Sequence, residues 1–160
     1  MRGRTTTIAA ILASGAMLTG CSGNAPALER DGSGQIVEVQ SGIDVFELQP
    51  GDCFSTDDGG SGEVTSVKAI PCAEPHRFEV YHEFELPDGD FPADVDQQAL
   101  TGCDAQFQAF VGVPNNQSKY EISYFAPTSA SWAADDRLVS CLLFDPTGAE
   151  MTGSLSQVGQ

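Results

Sequence analysis

Apolar and polar side chains alternate strictly between residues 77 and 86. One parity carries Phe78, Val80, His82, Phe84 and Leu86, and the other carries Arg77, Glu79, Tyr81, Glu83 and Glu85. An alternation of period two is typical of a β-strand with one face in the core. We therefore predict a strand over 77–86, with the first set buried and the second set in water.

Further short strands are predicted at roughly 45–48, 63–70, 121–126, 137–144 and 150–155. The segment 137–144 is apolar at both parities, which indicates a central strand covered on both faces. Asp145-Pro146-Thr147-Gly148 follows it and has the residues that a type I turn prefers. We expect this turn to return the last strand as a hairpin.

A helical pattern covers about residues 94–111. Its apolar positions recur at three- and four-residue spacing: Ala99, Leu100, Cys103, Phe107, Phe110 and Val111. Gly112 and Pro114 end the pattern, and Asp94 and Asp96 favour its positive end. The predicted fold is a small disulfide-stapled α+β domain, a mostly antiparallel sheet with one principal helix (about 94–111) packed on it.

The first twenty residues have the pattern of an export signal. A basic segment, 1–4, precedes an uncharged apolar run over 5–18, which is shorter than the about 20 residues of a spanning helix. Leu18-Thr19-Gly20-Cys21 resembles the lipobox of bacterial lipoproteins. The resemblance implies a lipoprotein signal peptide at 1–20 and lipidation of Cys21, which would anchor the chain in the bilayer at the outer face of the cytoplasmic membrane. The alternative is an ordinary leader with Cys21 as a plain residue.

Residues 21–44 are predicted to be the lipidated Cys21 and a flexible tether, followed by the domain at 45–160. The segments 22–26 and 31–34 are rich in small and turn-forming residues and have few apolar side chains to bury. The apolar run at 36–39 leaves open a short strand that would end the tether earlier.

Four cysteines remain for the domain: Cys53, Cys72, Cys103 and Cys141. In an exported domain they are expected to form two disulfides, for which three connectivities exist. We favour Cys53–Cys72, which closes a local segment, and Cys103–Cys141, which joins the helix to the central strand. The alternative is a tetrathiolate zinc site, but the sequence has no CxxC pair. We expect no cofactor and no metal.

The net charge of the chain limits the kinds of partner that it can bind. The chain has 7 Lys+Arg against 23 Asp+Glu, a formal net charge of −16. This balance argues against a nucleic-acid partner, because phosphate contacts need clustered basic residues. Cleavage after residue 20 would remove Arg2 and Arg4 and leave a net charge of −18. Because opposite charges attract, a mature domain with this charge is expected to bind an envelope protein with a basic surface.

Several motifs along the chain resemble one family. They are Pro50-Gly51-Asp52-Cys53-Phe54, Cys72-Ala73-Glu74-Pro75-His76, Ser131-Trp132, Asp136-Arg137-Leu138-Val139-Ser140-Cys141 and Gly153-Ser154-Leu155. In this order they resemble the septum formation domain family of actinobacterial envelope proteins, over about 50–155. The resemblance implies a link to division or envelope assembly, and it implies no catalytic residues.

His76 is the residue most suggestive of chemistry. As a base or ligand it would need a carboxylate partner such as Glu74, Glu79 or Asp52. As a structural residue it would cap the start of a strand and bond a backbone carbonyl. A metal shared with His82 is rejected, because six residues of strand span about 20 Å.

The remaining candidates are Arg77, Trp132, Asp136 and Arg137. Trp132 with Arg137 would form a ligand-facing platform. Alternatively Trp132 closes the core and Arg137 pairs with Asp52 or Asp136. The acidic segment 57–63 invites a calcium interpretation, but it lacks the ligand register of a calcium loop, and a solvated turn is favoured.

These patterns predict a membrane-anchored extracytoplasmic lipoprotein. It would act as a non-enzymatic binding or assembly module in cell division or envelope maintenance. The alternatives are a small-ligand or divalent-cation binding domain and a hydrolase that uses His76.

Overall fold

The computed structural model describes residues 28–56 and 64–160. These described residues form six strands: β1 (Gln40–Asp44), β2 (Cys53–Ser55), β3 (Ser66–Ile70), β4 (Phe78–Glu85), β5 (Glu121–Phe125) and β6 (Leu138–Phe144). The helices are α1 (Val95–Val111) and the short α2 (Ser129–Trp132), with 3₁₀ turns at Val45–Glu47 and Asn115–Gln117. The predicted signal peptide, Cys21 and the acidic segment 57–63 lie outside the described residues.

The six strands form one antiparallel sheet in the order β1-β3-β2-β4-β6-β5. Helix α1 contacts β4, β5 and β6. It begins one residue later than predicted and ends at Val111. Gly112 follows in the left-handed conformation that glycine tolerates and caps the helix. The predicted α+β fold, with one principal helix on an antiparallel sheet, is confirmed.

Each face of the sheet has its own apolar core. The α1 side buries Tyr81, Phe107, Val139 and Leu143 with others, and the opposite side buries Phe54, Val67, Val80 and Leu142 with others. Successive residues of a strand point to opposite faces, and β6 therefore contributes Leu142 to one core and Leu143 to the other. This confirms the prediction of a central strand covered on both faces.

The alternation of β4 is interrupted at Tyr81. Val80 lies opposite Leu142 and His82 lies opposite Cys141, so one extra residue forms a β-bulge between them. The prediction that Glu79 and Tyr81 lie in water was wrong, because both are buried. The physical reason is that α1 and the residues after β6, 145–160, cover this face of the strand. We call residues 145–160 the C-terminal segment.

The domain begins earlier than predicted. Arg30 forms a backbone bridge with Ile36, and β1 pairs with β3. Ile36 and Ile43 are both buried in the core opposite α1. The expected boundary near residue 45 was therefore too late, since these apolar side chains complete that core. Residues 21–27 of the predicted tether lie outside the described part of the chain.

Two predicted strands are not strands. The segment 45–48 is instead a 3₁₀ turn, because the Asp44 carboxylate accepts from the backbone N–H of Phe46 at 3.0 Å and caps it. The segment 150–155 forms an isolated bridge between Met151 and His76. It does not pair with β6, whose neighbours are β4 and β5, and the predicted hairpin was therefore wrong. The turn before this segment is present, with the N–H of Gly148 donating to the carbonyl of Asp145 at 3.0 Å.

Two disulfides staple the domain. Cys53 of β2 bonds Cys72, and Cys103 of α1 bonds Cys141 of β6. Both pairs are the ones that the sequence favoured. Because all four sulfurs are paired, the alternative of a tetrathiolate zinc site is excluded in this oxidised form.

Candidate functional site

His76 lies in the interior, with its side chain 0% exposed. Its Nδ1 is 2.8 Å from the carbonyl oxygen of Glu74, and its backbone exchanges two hydrogen bonds with Met151, at 3.0 and 2.8 Å. Burial lowers the pKa of His76, which favours the neutral ring at neutral pH. This geometry fits the structural interpretation, in which His76 fastens the C-terminal segment to the sheet.

Glu79 is a second buried group close to that segment. Its carboxylate accepts from the Ser154 hydroxyl at 2.6 Å and from the backbone N–H of Leu155 at 2.7 Å. Burial raises the pKa of Glu79, while both hydrogen bonds act in the opposite direction. One of its oxygens is within 4.8 Å of the Cys53 and Cys72 sulfurs, but the disulfide leaves no thiolate there to bind a metal. The role of Glu79 is therefore to hold Gly153-Ser154-Leu155 in place.

Arg77 is tied to β2 through its backbone. Its N–H lies 3.1 Å from both the Ser55 hydroxyl oxygen and the carbonyl oxygen of Phe54. His76 and Arg77 thus share one corner of the molecule with the C-terminal segment.

Trp132 and Arg137 lie together at a different place. The guanidinium carbon of Arg137 is 3.8 Å from the centroid of the Trp132 ring. The indole N–H donates to the carbonyl of Gly89 at 3.0 Å, and Phe91 packs edge-on at 5.7 Å. With Trp132 only 7% exposed, the ring closes the core under Arg137 and does not form a ligand-facing platform.

The carboxylates that pair with Arg137 are those of Asp88 and Asp135, and they differ from both predicted partners. Asp52 instead forms a bidentate pair with Arg30, with N–O distances of 2.6 and 2.7 Å. The Nε of Arg137 is 3.3 Å from the carboxylate of Asp88. Asp136 offers Arg137 only its backbone carbonyl, at 2.8 Å. The prediction was wrong because Arg30, assigned to the tether, belongs to the domain.

An open apolar groove of about 520 Å³ lies among the described residues. One wall comes from the end of β1, the following 3₁₀ turn and the residues before β3. The other wall comes from the ends of β5 and β6, with α2 and the start of α1. We call it the acidic groove, because Asp44, Asp96 and Asp136 line it together with Val45, Phe46, Val64, Phe125, Pro127 and Leu138.

The groove exists because the sheet curls. Strands β1 and β5 are the two edges of the sheet, yet residues at the ends of both line the same groove. The Phe54 ring of β2 also packs against Phe125 of β5, with centroids 5.8 Å apart. The curl brings the two ends of the sheet towards each other and leaves the groove between them.

Two of the three carboxylates of the groove are held in position by backbone N–H groups. Asp44 caps the 3₁₀ turn, and Asp136 accepts from the backbone N–H of Leu138 at 3.0 Å. Desolvation, followed by the negative charge of the nearby Asp96, raises the pKa of Tyr124. Among the described lining residues there is no lysine, arginine or histidine. The groove therefore presents negative charge around an apolar floor.

Of the predicted candidates, only Asp136 lies in this groove. Asp44, Phe46, Asp96 and Tyr124 were not predicted as site residues. Asp96 had a signal, as an acidic residue in the first turn of the helix, but that signal concerns helix stability. The groove itself depends on contacts between residues far apart in sequence, which no local pattern encodes.

None of the helices in the described part of the chain is both long and apolar enough to cross a membrane. No curated protein and no solved structure matches the chain. A family model described as septum formation matches residues 50–160, and a septum-formation domain is consistent with a location at the cell envelope. The match covers more than half of the chain and spans both disulfides, α1 and the C-terminal segment, and the chain therefore belongs to the septum formation family.

Proposed function

We propose that this protein is a lipid-anchored, extracytoplasmic binding or assembly module that acts without catalysis in septum formation. The observation that carries the proposal is the acidic groove, an open apolar concavity lined by three carboxylates. Concave apolar sites with a few placed polar groups are where proteins bind their ligands. Membership of the septum formation family supports a role of this binding in septum formation.

The lipobox at Leu18-Thr19-Gly20-Cys21 supports the anchor. A mature body with a net charge of −18 would be repelled by an anionic membrane surface. Acyl chains contribute about 0.8 kcal/mol per buried CH₂, and two or more chains give a stable anchor. Lipid on Cys21 would therefore hold the domain at the outer face of the cytoplasmic membrane.

A binding function is favoured over a hydrolase because the candidate general base, His76, is not accessible to a substrate. His76 is fully buried, and Glu79 is committed to Ser154 and Leu155. His82, the second histidine, is half-buried and stacks on Phe84 at 6.2 Å. A general base must reach the proton that it removes. His76 lacks that access.

A divalent-cation site is not favoured either. Among the described residues, the carboxylates of the groove do not form a cluster with ligand spacing, and the one such cluster contains the sulfurs of a disulfide. Calcium needs six to eight oxygen ligands at 2.3–2.6 Å. We therefore assign the groove to a partner molecule.

The proposal is tested by depletion of the protein in the bacterium that makes it, with complementing copies of the gene. The wild-type copy should restore regular septa, and a Cys21→Ala copy produced at the same level should not. Ser22→Ala is the matched control and should behave as wild type. Full complementation by Cys21→Ala would contradict the anchored function.

A further inference from the structure

We infer that the acidic groove is the docking site for an extended, basic segment of a protein partner. One bulky apolar side chain of that segment would occupy the groove, and flanking Lys or Arg side chains would pair with Asp44, Asp96 and Asp136. The inference rests on the proposed function, since it names the partner chemistry of the same site.

The size and lining of the groove fit a side chain of a peptide. Its volume of about 520 Å³ lies within the range of about 300–1,000 Å³ typical of ligand sites. Phe46, at the lip, is 60% exposed although it is aromatic. Aromatic residues that remain exposed beside a concavity are enriched at protein interfaces.

The charge of the groove selects the partner. Among the described residues, the ion pairs of Arg30 and Arg137 involve Asp52, Asp88 and Asp135, and none involves a carboxylate of the groove. Asp44 and Asp96 are exposed, and Asp136 is half-buried. Carboxylates without a paired cation attract a basic ligand and steer its approach.

The edge position of β5 favours an extended ligand. In the described part of the chain, β5 pairs with β6 and has no strand on its other side. An edge strand offers backbone N–H and C=O groups to an added strand. Tyr124 and Phe125 of β5 also line the groove. A segment that pairs with this edge can place alternate side chains towards the groove.

Charge also favours a peptide over a lipid. An anionic headgroup would meet three carboxylates on a body that is itself strongly acidic. The negative charges of the headgroup and of the carboxylates would repel each other. A positively charged protein segment removes this repulsion, and we therefore assign the groove to a peptide.

The test measures binding of a fluorescent peptide to the full chain in non-ionic detergent by fluorescence anisotropy. The probe is a short peptide of alternating Lys and Thr around a central Phe. The same peptide with Glu in place of Lys, and with Gly in place of Phe, provides the two ligand controls. We expect binding of the first peptide alone, weakened by added salt.

Three protein variants locate the site. The triple variant D44N/D96N/D136N keeps the hydrogen-bond acceptors and removes the charges. It should weaken binding about tenfold, because each exposed ion pair is worth roughly a factor of two. The control triple variant, E74Q/E85Q/E150Q, has the same net charge as D44N/D96N/D136N. It should bind the peptide within about twofold of wild type. Phe46→Ala should also weaken binding, and Leu100→Ala, at another exposed apolar position, should not.

The inference is overturned if the probe does not bind, or if both triple variants lose affinity equally, since equal losses would indicate attraction by the net charge alone. Failure of the proposed function is a separate result. If the peptide fails to bind while the Cys21→Ala copy still fails to restore regular septa, the anchored function stands and only the assigned ligand is wrong. If the peptide binds while Cys21→Ala complements fully, the groove assignment stands and the anchored function is wrong.

Discussion

The carboxylate of Asp52 is only 1% exposed, and its charge is balanced by Arg30. Asp52 also accepts from the backbone N–H of Gln49 at 2.8 Å. The hydrogen bond to Asp52 is the largest cause of the raised pKa of Arg30. A buried ion that loses its partner destabilises a fold strongly, whereas removal of both ions costs less.

Arg30→Met should therefore lower the free energy of unfolding by about 3 kcal/mol. Urea denaturation of the full chain measures this loss. The double variant R30M/D52N should recover a large part of it, because no unpaired buried charge remains. If Arg30→Met changes stability by less than about 0.5 kcal/mol, residues around Arg30 do not belong to the folded domain as described.

His76 makes stability depend on pH with a defined sign. Burial lowers its pKa in the folded chain, while the unfolded chain keeps a value of about 6.5. As the pH falls below about 6.5, the unfolded chain takes up a proton that the folded chain binds less well, and stability decreases. The contribution of His76 is fully present above that pH and is lost as the pH falls towards the folded pKa.

His76→Asn should remove this part of the acid sensitivity. The Asn amide can still donate to the Glu74 carbonyl, and His82 is unchanged in both proteins. Urea denaturation at pH 7.5 and pH 5.5 gives the comparison, in which wild type should lose more stability on acidification than the variant. Equal losses in the two proteins would mean that His76 is accessible to protons in the fold.

At the scale of elements, α1 and β4 meet at a glycine. A Cβ built on Gly102 would overlap the ring of Phe84. Gly102 therefore permits the close approach of the helix to the strand beyond the bulge of β4. Alanine inside a helix normally stabilises a fold by about 1 kcal/mol relative to glycine. Overpacking of a core, however, lowers stability by about 1–3 kcal/mol.

Gly102→Ala should consequently destabilise the wild-type fold by about 1 kcal/mol. In a Phe84→Ala background the ring is absent, and the same substitution should stabilise by about 1 kcal/mol. Thermal unfolding of the four proteins of this cycle measures the reversal of sign. Stabilisation in both backgrounds would show that the helix and the strand are further apart than described.

The elements that the sequence predicted well are those whose pattern is complete within one segment. The apolar stripe of α1 and the doubly apolar run of β6 are examples. The three-residue strand β2 is too short to show a period. In β4, the bulge at Tyr81 changes the parity of the strand, and a pattern read without the bulge misplaces the side chains.

The whole molecule carries features that no segment carries alone. Pairing of the cysteines was predictable because Cys103 lies on the buried stripe of α1 and Cys141 lies on the central strand. The acidic groove was not predictable, since its walls come from opposite edges of a sheet whose order differs from the chain order. Asp136 was singled out, but its neighbours Asp44 and Phe46 lie more than eighty residues away in sequence.

Binding of a protein partner at the envelope by the acidic groove can be tested in living cells. The most direct test is photo-crosslinking in living cells with benzoylphenylalanine in place of Phe46 in the full chain. Mass spectrometry then identifies the captured segment. The same substitution at Leu100 is the matched control.

Position 46 should capture an envelope protein through a segment that carries Lys or Arg around an apolar residue. The substitutions D44N/D96N/D136N in the same chain should reduce that capture about tenfold, while E74Q/E85Q/E150Q should leave it unchanged. Capture of the same proteins from positions 46 and 100, or capture at position 46 that does not depend on the three groove carboxylates, would show that the acidic groove is not the docking site.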